Sequence, residues 1–195
     1  FEHHEVGPGP DGGDLSRRLY LSDTEIGGDS TIFHAINRSK ESLALDLKNP
    51  ADVASLRKLL THADVMLQNF RPGVMAEMGL GPELLSADNP RLVNVSISGF
   101  GIDSPMGNLP AYDLVIQALT GMTMLSGKEG DPPVKTGFPV IDAATGIIGA
   151  LAIVTALRER DRSGAGCFLD VSMWASALQL MYPFTCETMT SGQDI

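Results

Sequence analysis

The chain has 195 residues, 43% hydrophobic and 19% charged, a length and composition that suit one globular domain with a buried core. The excess of 24 acidic over 14 basic residues argues against nucleic acid or an anionic membrane as the main partner. Two cysteines are too few for a disulfide scaffold, so we expect a cytoplasmic location. The four histidines show no metal-ligand spacing, so we expect no metal.

The chain opens with a segment of loop composition. Residues 1–31 are rich in Gly, Pro and Asp and show little apolar periodicity, so we expect a loop-rich entry segment. Residues 42–47 then alternate polar and apolar side chains, which predicts a strand. Asn49-Pro50 begins a helix that we expect to reach about His62.

The middle of the chain repeats this alternation. Short apolar strands are predicted at 64–68 and 92–97, with helices between them. Strand, helix, strand, helix, strand with short links is the pattern of a parallel, doubly wound α/β sheet. Ligands of such sheets gather beyond the carboxyl ends of strands, so we expect a binding site at the loops 69–73 and 98–101.

The last third contains the longest predicted helix. We expect helices at about 112–124 and 142–160, a strand at 167–172 and a final helix from about Met173. The longest apolar run, residues 147–157, falls short of the roughly 18 residues of a membrane span, so we predict a buried helix and no membrane partner.

Asp142 is the strongest candidate for chemistry on local grounds. It follows the apolar segment 138–141 and stands where the long helix is predicted to begin. Asp is a preferred N-cap residue, so a capping role alone is one interpretation. The other is a carboxylate held ionised by free helix N–H groups and positioned as a nucleophile. The two roles are compatible.

Three further segments are candidates for binding. Asn69-Phe70-Arg71-Pro72-Gly73 joins a strand end to a helix start, where Arg71 and backbone N–H groups suit a phosphate, although a plain turn fits equally. Asn37-Arg38-Ser39-Lys40 places two basic residues in a loop, a pattern that is more often just solvated. Asp113 could simply cap a helix behind Tyr112. No dinucleotide, P-loop or nucleophile-elbow motif is present in the sequence.

Six segments taken together resemble the family III CoA-transferases, the group that includes formyl-CoA and carnitine CoA-transferases. The likeness runs from about residue 10 to 180 and depends on the order and spacing of the segments, since none is specific alone. They are 37–40 with 45–48, 68–73, 95–101, 110–113, 142–146, and 163–166 leading into 169–172.

The resemblance implies a Rossmann-like large domain over residues 32–180, incomplete at both ends, with residues 181–195 starting the connection to a second domain. It implies an interlocked homodimer of the complete protein, acyl-CoA and a small carboxylic acid as substrates, and coenzyme A as co-substrate with no permanently bound cofactor. Asp142 matches the family's nucleophile, which forms an acyl-aspartyl anhydride and then an aspartyl-CoA thioester. The residues matching the CoA site are Arg38, Leu45, Asp46, Lys48, Asn69, Phe70, Arg71, Ala111, Tyr112 and Asp113.

Two alternatives remain open. The family also contains acyl-CoA racemases, which carry a His where this chain has Tyr112, and racemisation needs a second acid/base there. Tyr112 therefore favours transfer. A truncated homologue that binds CoA without catalysis is the other alternative. It is favoured by Glu77, which stands where many relatives have a phosphate-binding Arg. It is also favoured because this chain lacks the family segments that are expected before Phe1 and after Ile195.

Overall fold

The computed structural model describes residues 4–6, 14–19, 24–128 and 130–193. Contacts within the chain divide it into two compact units, one up to Lys58 and one from Leu59 onward. The boundary falls inside a helix, α2 (Pro50–Leu60), so the chain passes from one unit to the next without a loop.

The first unit contains short strands and one short helix. Strand β1 (His4–Val6) pairs in parallel with β4 (Glu41–Leu43), and β2 (Glu25–Ile26) forms an antiparallel hairpin with β3 (Asp29–Ser30). Gly27 and Gly28 make the hairpin turn with φ of 62° and 88°, values that favour glycine. Helix α1 (Thr31–Ile36) follows directly.

Residues 1–31, predicted to be a loop-rich entry segment, also form short regular elements where the structure describes them. Besides the strands, residues Leu15–Arg18 form a 3-10 helix, whose start is capped by Asp14. The Ser30 hydroxyl accepts from Phe33 N–H at 3.0 Å and so caps α1. Side-chain capping gives a Gly- and Asp-rich segment local structure that apolar periodicity does not reveal.

The strand predicted at 42–47 ends early, at Leu43. Its described pairing with β1 covers Glu41 to Leu43. Beyond it the chain turns at Asp46, whose N–H donates to Asp52 and whose carboxylate accepts from Lys48 N–H at 3.0 Å. This Asx turn leads into α2, whose first residue is Pro50 as predicted.

The second unit is a Rossmann-like α/β structure and confirms the predicted fold class. Strands β5 (Val65–Gln68), β6 (Val93–Ser98) and β7 (Cys167–Ser172) form a parallel sheet in the order β5-β6-β7. The helices of this unit are α3 (Val74–Glu77), α4 (Pro82–Asp88), α5 (Asp113–Leu119), α6 (Val140–Ser163), α7 (Met173–Leu180) and α8 (Tyr182–Ser191).

Two apolar clusters hold these layers together. Val93, Val95 and Val171 of the sheet pack with Ala156 of α6. Alternate residues of β6 therefore point at α6, as the period of a strand requires. The second cluster joins α5, α6 and α7 beside the strand ends and consists of Phe100, Ile116, Ile141, Met173 and Ala177.

Helix α6 is less buried than its sequence suggests. Ile141, Thr145 and Gly149 face the interior, whereas Ile147, Leu151 and Val154 are 71%, 68% and 63% exposed. The prediction of a buried helix is therefore wrong for one face. By length and composition alone, α6 is also the one described helix that could cross a membrane. The mean hydropathy over 18 residues stays high even though glycines interrupt the continuous apolar run.

Candidate functional site

The site is built where the carboxyl ends of the strands meet. β5, β6 and β7 end at Gln68, Ser98 and Ser172, and because they are parallel these ends share one edge of the sheet. The loops 69–73 and 98–101 leave from this edge, in the place that strand alternation predicts. Trp174 N–H of α7 donates to Gly99 O at 2.9 Å and so joins α7 to the second loop.

Asp142 lies in the first turn of α6 but does not begin it. The helix starts at Val140 behind Pro139, so Asp142 is its third residue, and the prediction that Asp142 stands at the N-cap is wrong. The neighbouring Ile141 is 0% exposed and belongs to the apolar cluster of α5, α6 and α7. This anchor fixes the backbone from which the exposed side of Asp142 projects.

Asp113 supplies the cap that Asp142 does not. Its Oδ2 accepts hydrogen bonds from Ile141 N–H at 2.7 Å and from Asp142 N–H at 3.0 Å. Asp113 itself is the first residue of α5, behind Tyr112, so it caps the start of α6 rather than that of its own helix. Two of the N–H groups that a helix start leaves without a partner are thus satisfied from a different helix.

This arrangement changes the expected electrostatics of Asp142. The N–H groups that were expected to hold Asp142 ionised donate to Asp113 instead. Partial desolvation, and after it the negative charge of Asp113, raise the pKa of the Asp142 carboxyl above its ordinary value of 3.8. A carboxylate of raised pKa is more basic once ionised, which suits a nucleophile better than an ordinary surface Asp.

A buried amide holds Asp113 in turn. Gln117, 2% exposed, donates through Nε2 to Asp113 Oδ1 and, at 2.7 Å, to Thr136 Oγ1. Its Oε1 accepts from Thr136 N–H at 3.0 Å, and Thr136 Oγ1 donates to Phe138 O at 2.7 Å. Sequence reasoning missed both residues. The spacing of Asp113 and Gln117, four apart on a helix, was the available signal.

The phosphate candidates lie on the loop after β5. Asn69 and Arg71 are exposed and Phe70 is half-buried, with its N–H donating to Gln68 Oε1 at 2.6 Å. Gln68 also donates to Ser96 on β6 at 2.9 Å, so it ties this loop to the central strand. The helix expected to lend N–H groups is the single turn α3, and Val74 N–H already donates to Arg71 O at 3.2 Å. The exposed guanidinium of Arg71 is the charged donor that this loop presents.

Ala111 and Tyr112 lie just before α5. An added Cβ on Gly99 would come within 2.1 Å of Ala111 Cβ, so the segment around Ala111 packs directly on the loop after β6. Tyr112 is 74% exposed. Glu77, the departure from the family pattern, is exposed at the end of α3.

The remaining candidates belong to the first unit. Arg38, Asp46 and Lys48 are exposed and Leu45 is half-buried. Arg38 lies in a turn closed by Lys40 N–H donating to Asn37 O at 3.3 Å, where Ser39 has φ of 61°. Asp46 shapes the turn before α2.

In the second unit, the fold brings together two of the candidate residues, Asp113 and Asp142. Asp113 is bonded to the backbone of Asp142, and Ala111 and Tyr112 precede Asp113 in the chain. Asn69, Phe70 and Arg71 share the same strand-end edge. Among the ranges that the structure describes, no three His, Cys, Asp or Glu side chains form a metal site.

Comparison with known proteins gives one consistent result. Residues 8–195 match the family model described as CoA-transferase family III. The chain is 39% identical over 167 residues to the acetyl-CoA:oxalate CoA-transferase of Acetobacter aceti, covering 85% of this chain and 43% of that protein. It is 35% identical over 151 residues to the succinyl-CoA:glutarate CoA-transferase of Mus musculus, covering 77% of this chain and 35% of that protein.

A solved structure gives the same picture. The crystal structure of a CAIB/BAIF family protein from Brucella suis superposes with a TM-score of 0.89 at 31% identity, over 98% of this chain and 51% of that one. The chain therefore spans about half the length of the proteins it matches, or less.

Proposed function

Since the chain belongs to CoA-transferase family III, we propose that the protein of which it is part moves coenzyme A from an acyl-CoA thioester to a carboxylic acid, with Asp142 as the nucleophile. The observation that carries this proposal is the placement of Asp142: an exposed carboxylate of raised pKa, fixed at the start of α6 by the cap from Asp113. CoA transfer in general is the activity named for the relatives.

The proposed reaction begins with attack on the thioester. An oxygen of ionised Asp142 bonds to the acyl carbon, the C–S bond breaks, and CoA thiolate leaves an acyl-aspartyl anhydride. The thiolate then attacks the aspartyl carbon of the anhydride. The donor acid departs as a carboxylate, and an aspartyl-CoA thioester remains.

The second half repeats these steps with the acceptor. The acceptor carboxylate attacks the aspartyl-CoA carbon and expels the thiolate, which forms a second anhydride. The thiolate then attacks the acceptor's acyl carbon, giving the new acyl-CoA and free Asp142. Every bond broken is replaced by one of similar activation, so the transfer needs no external energy source.

The CoA moiety is proposed to bind along the strand-end edge. Arg71 offers a guanidinium to a phosphate beside Asn69 and Phe70, and Ala111 to Asp113 lie next to the nucleophile. Arg38, Leu45, Asp46 and Lys48 of the first unit are proposed as CoA-binding residues solely on the strength of their match to the family pattern. Arg and Lys bind phosphate oxygens through charge-assisted hydrogen bonds.

The assembled protein is proposed to be a homodimer. The exposed apolar face of α6, formed by Ile147, Leu151 and Val154, supports the proposal because such a stripe is costly to leave in water. The rest of the protein or the second subunit would cover it.

Trapping the covalent intermediate tests the nucleophile. The full-length protein is incubated with a labelled acyl-CoA and hydroxylamine, and peptides are searched for an aspartyl hydroxamate. We expect the modification at Asp142, and a loss of transfer of at least about 10³-fold in Asp142→Ala. Asp103→Ala, which removes an exposed Asp elsewhere in the second unit, serves as the matched control.

The other outcomes separate the alternatives. Normal transfer by Asp142→Ala would contradict the proposed nucleophile. Exchange of the α-proton of an acyl-CoA in deuterated water, with no acceptor acid present, would indicate a racemase instead. Binding of CoA without hydroxamate or transfer would indicate a non-catalytic homologue.

A further inference from the structure

We infer that Gln117 and Thr136 are positioning residues for Asp142, acting through the carboxylate of Asp113; this inference rests on the proposed role of Asp142 as nucleophile. Neither residue is hydrogen-bonded to Asp142. Both belong to the hydrogen-bond network that holds Asp113 against the start of α6.

The orientation of the Gln117 amide is determined by its partners. Thr136 N–H can only donate, so the atom facing it at 3.0 Å must be Oε1. Nε2 then faces Asp113 Oδ1 and Thr136 Oγ1 and gives one hydrogen to each. Both donors and the carbonyl of this buried amide are thereby used, which allows only one rotamer and one flip state.

Thr136 completes the network on the other side. Its hydroxyl accepts from Gln117 and donates to Phe138 O at 2.7 Å, so the single hydrogen of the hydroxyl is committed. Phe138 lies two residues before the first residue of α6, and Val140 N–H donates to Phe138 O at 2.8 Å. The path from Gln117 thus reaches the α6 start twice, through Asp113 and through Phe138.

The consequence for the proposed chemistry is geometric. Asp113 Oδ1 is fixed by Gln117, so Oδ2 is held toward the N–H groups of Ile141 and Asp142. Without the amide, Asp113 keeps only the hydrogen bonds that its Oδ2 accepts from the two α6 N–H groups, so the cap and the first turn of α6 are held less firmly. A displacement of about 1 Å at a reacting group costs up to about 10²-fold in rate.

Thr136 offers the cleanest test because one substitution removes the hydroxyl and another keeps it. In the full-length enzyme, Thr136→Val should lower kcat about 10-fold and leave KM for acyl-CoA within about 3-fold, since geometry rather than binding is lost. Thr136→Ser should retain the wild-type kcat. The kcat of Gln117→Met should fall at least as far as that of Thr136→Val. Gln179→Met, at an exposed glutamine of α7, is the control.

Two readouts separate positioning from a merely structural role. Hydrogen exchange, followed by mass spectrometry of peptides covering Ile141 and Asp142, should be faster in Thr136→Val and Gln117→Met than in Thr136→Ser. Combining Thr136→Val with Gln117→Met should add little further loss of kcat, because the two residues act as one unit. Should Gln117→Met fail to fold, Thr136→Val against Thr136→Ser decides alone.

Failure of the inference and failure of the proposed function look different. Equal kcat and equal exchange in Thr136→Val and Thr136→Ser would overturn the inference while transfer through Asp142 stood. Faster exchange with unchanged kcat would overturn it too, since the network would then serve stability only. Full transfer by Asp142→Ala would instead remove the proposed nucleophile, whatever the exchange data gave.

Discussion

Asp113 Oδ2 lies 3.0 Å from the backbone nitrogen of Asp142, so one carboxylate caps the helix turn that carries the other. The capping bond and the charge of Asp113 have different effects on Asp142. The bond fixes its backbone, while the negative charge of Asp113 opposes its ionisation and adds to the effect of desolvation. Asp113 therefore fixes the backbone of Asp142 and, after desolvation, also contributes to its raised pKa.

Removing the charge of Asp113 should move the pH dependence of the reaction. In Asp113→Asn, we expect the acid limb of kcat to shift to lower pH, because one of the two causes that raise the pKa of Asp142 is gone. Desolvation remains, so the acid limb should still lie at a higher pH than the pKa of an ordinary carboxyl. A pH–rate profile of the full-length enzyme measures this, with Asp103→Asn as control. A limb that stays in place or moves upward would contradict the assigned cause.

Replacing Asp142 by Asn should stabilise the protein at neutral pH. Because the folded-state pKa of Asp142 is raised, its ionisation favours the unfolded chain, and stability falls as pH rises through that pKa. Asp142→Asn should therefore resist urea better than wild type at pH 7, and the gain should vanish as pH falls toward 3.8. An activity loss joined to a stability gain is the trade-off expected of a functional residue. Lower stability of Asp142→Asn at pH 7 would refute this expectation.

The close packing of Gly99 on Ala111 predicts a compensating pair. A Cβ on Gly99 would lie 2.1 Å from Ala111 Cβ, so Gly99→Ala should cost about 1–3 kcal/mol or more in free energy of unfolding. Ala111→Gly in the same protein should restore much of that loss. Gly146→Ala, where an added Cβ meets open space, should instead stabilise α6 by about 0.5–1 kcal/mol. Chemical unfolding of wild type, Gly99→Ala, Ala111→Gly and the double variant completes the cycle, and additive costs would argue against the contact.

Arg71 should contribute to CoA affinity more than to turnover. If its guanidinium binds a phosphate, Arg71→Gln should raise KM for acyl-CoA about 10-fold or more, as for the loss of one charge-assisted hydrogen bond, with kcat little changed. The effect should shrink in high salt, which already screens the attraction. Arg158→Gln, at an exposed arginine of α6, is the matched control. An unchanged KM would place the phosphates elsewhere.

The exposed face of α6 should matter only in the assembled protein. Leu151→Ser in the full-length protein should lower the melting temperature or weaken dimerisation, because burying a Leu side chain contributes about 1.5–3 kcal/mol. Ala150→Ser, an exposed small residue beside it, should have little effect. Light scattering coupled to size exclusion and thermal unfolding measure both quantities. Full dimerisation and stability in Leu151→Ser would mean that this face stays in water.

The sequence predicts the sheet of the second unit well because its signals are local. The strand at 167–172 has the predicted bounds, and those at 64–68 and 92–97 differ by one residue. Apolar runs bounded by turn residues are enough for this, and the parallel alternation places the strand-end loops at one edge. The capping and turn chemistry of the first unit has no such periodic signal.

The hydrogen bonds within the site could not be predicted in the same way. Asp142 was expected to cap its own helix, yet α6 starts two residues earlier and takes its cap from Asp113. Only the tertiary fold brings α5 to that place. Gln117 and Thr136 were missed for the same reason. Nothing in the sequence marks them until the fold buries the Gln117 amide between Asp113 and Thr136. Helix periodicity likewise does not reveal which apolar face of α6 is left uncovered.

The polar network around Asp113 also bears on the order in which the chain folds. Its hydrogen bonds connect residues 2 to 29 positions apart, whereas pairing of β6 with β7 joins residues 74 apart, as in Val93 with Cys167. Contacts between near neighbours lose less loop entropy on closing. We therefore expect the start of α6 and its cap from Asp113 to acquire exchange protection before β7 pairs with β6 during refolding. Pulse-labelling that finds β7 protected first would contradict this.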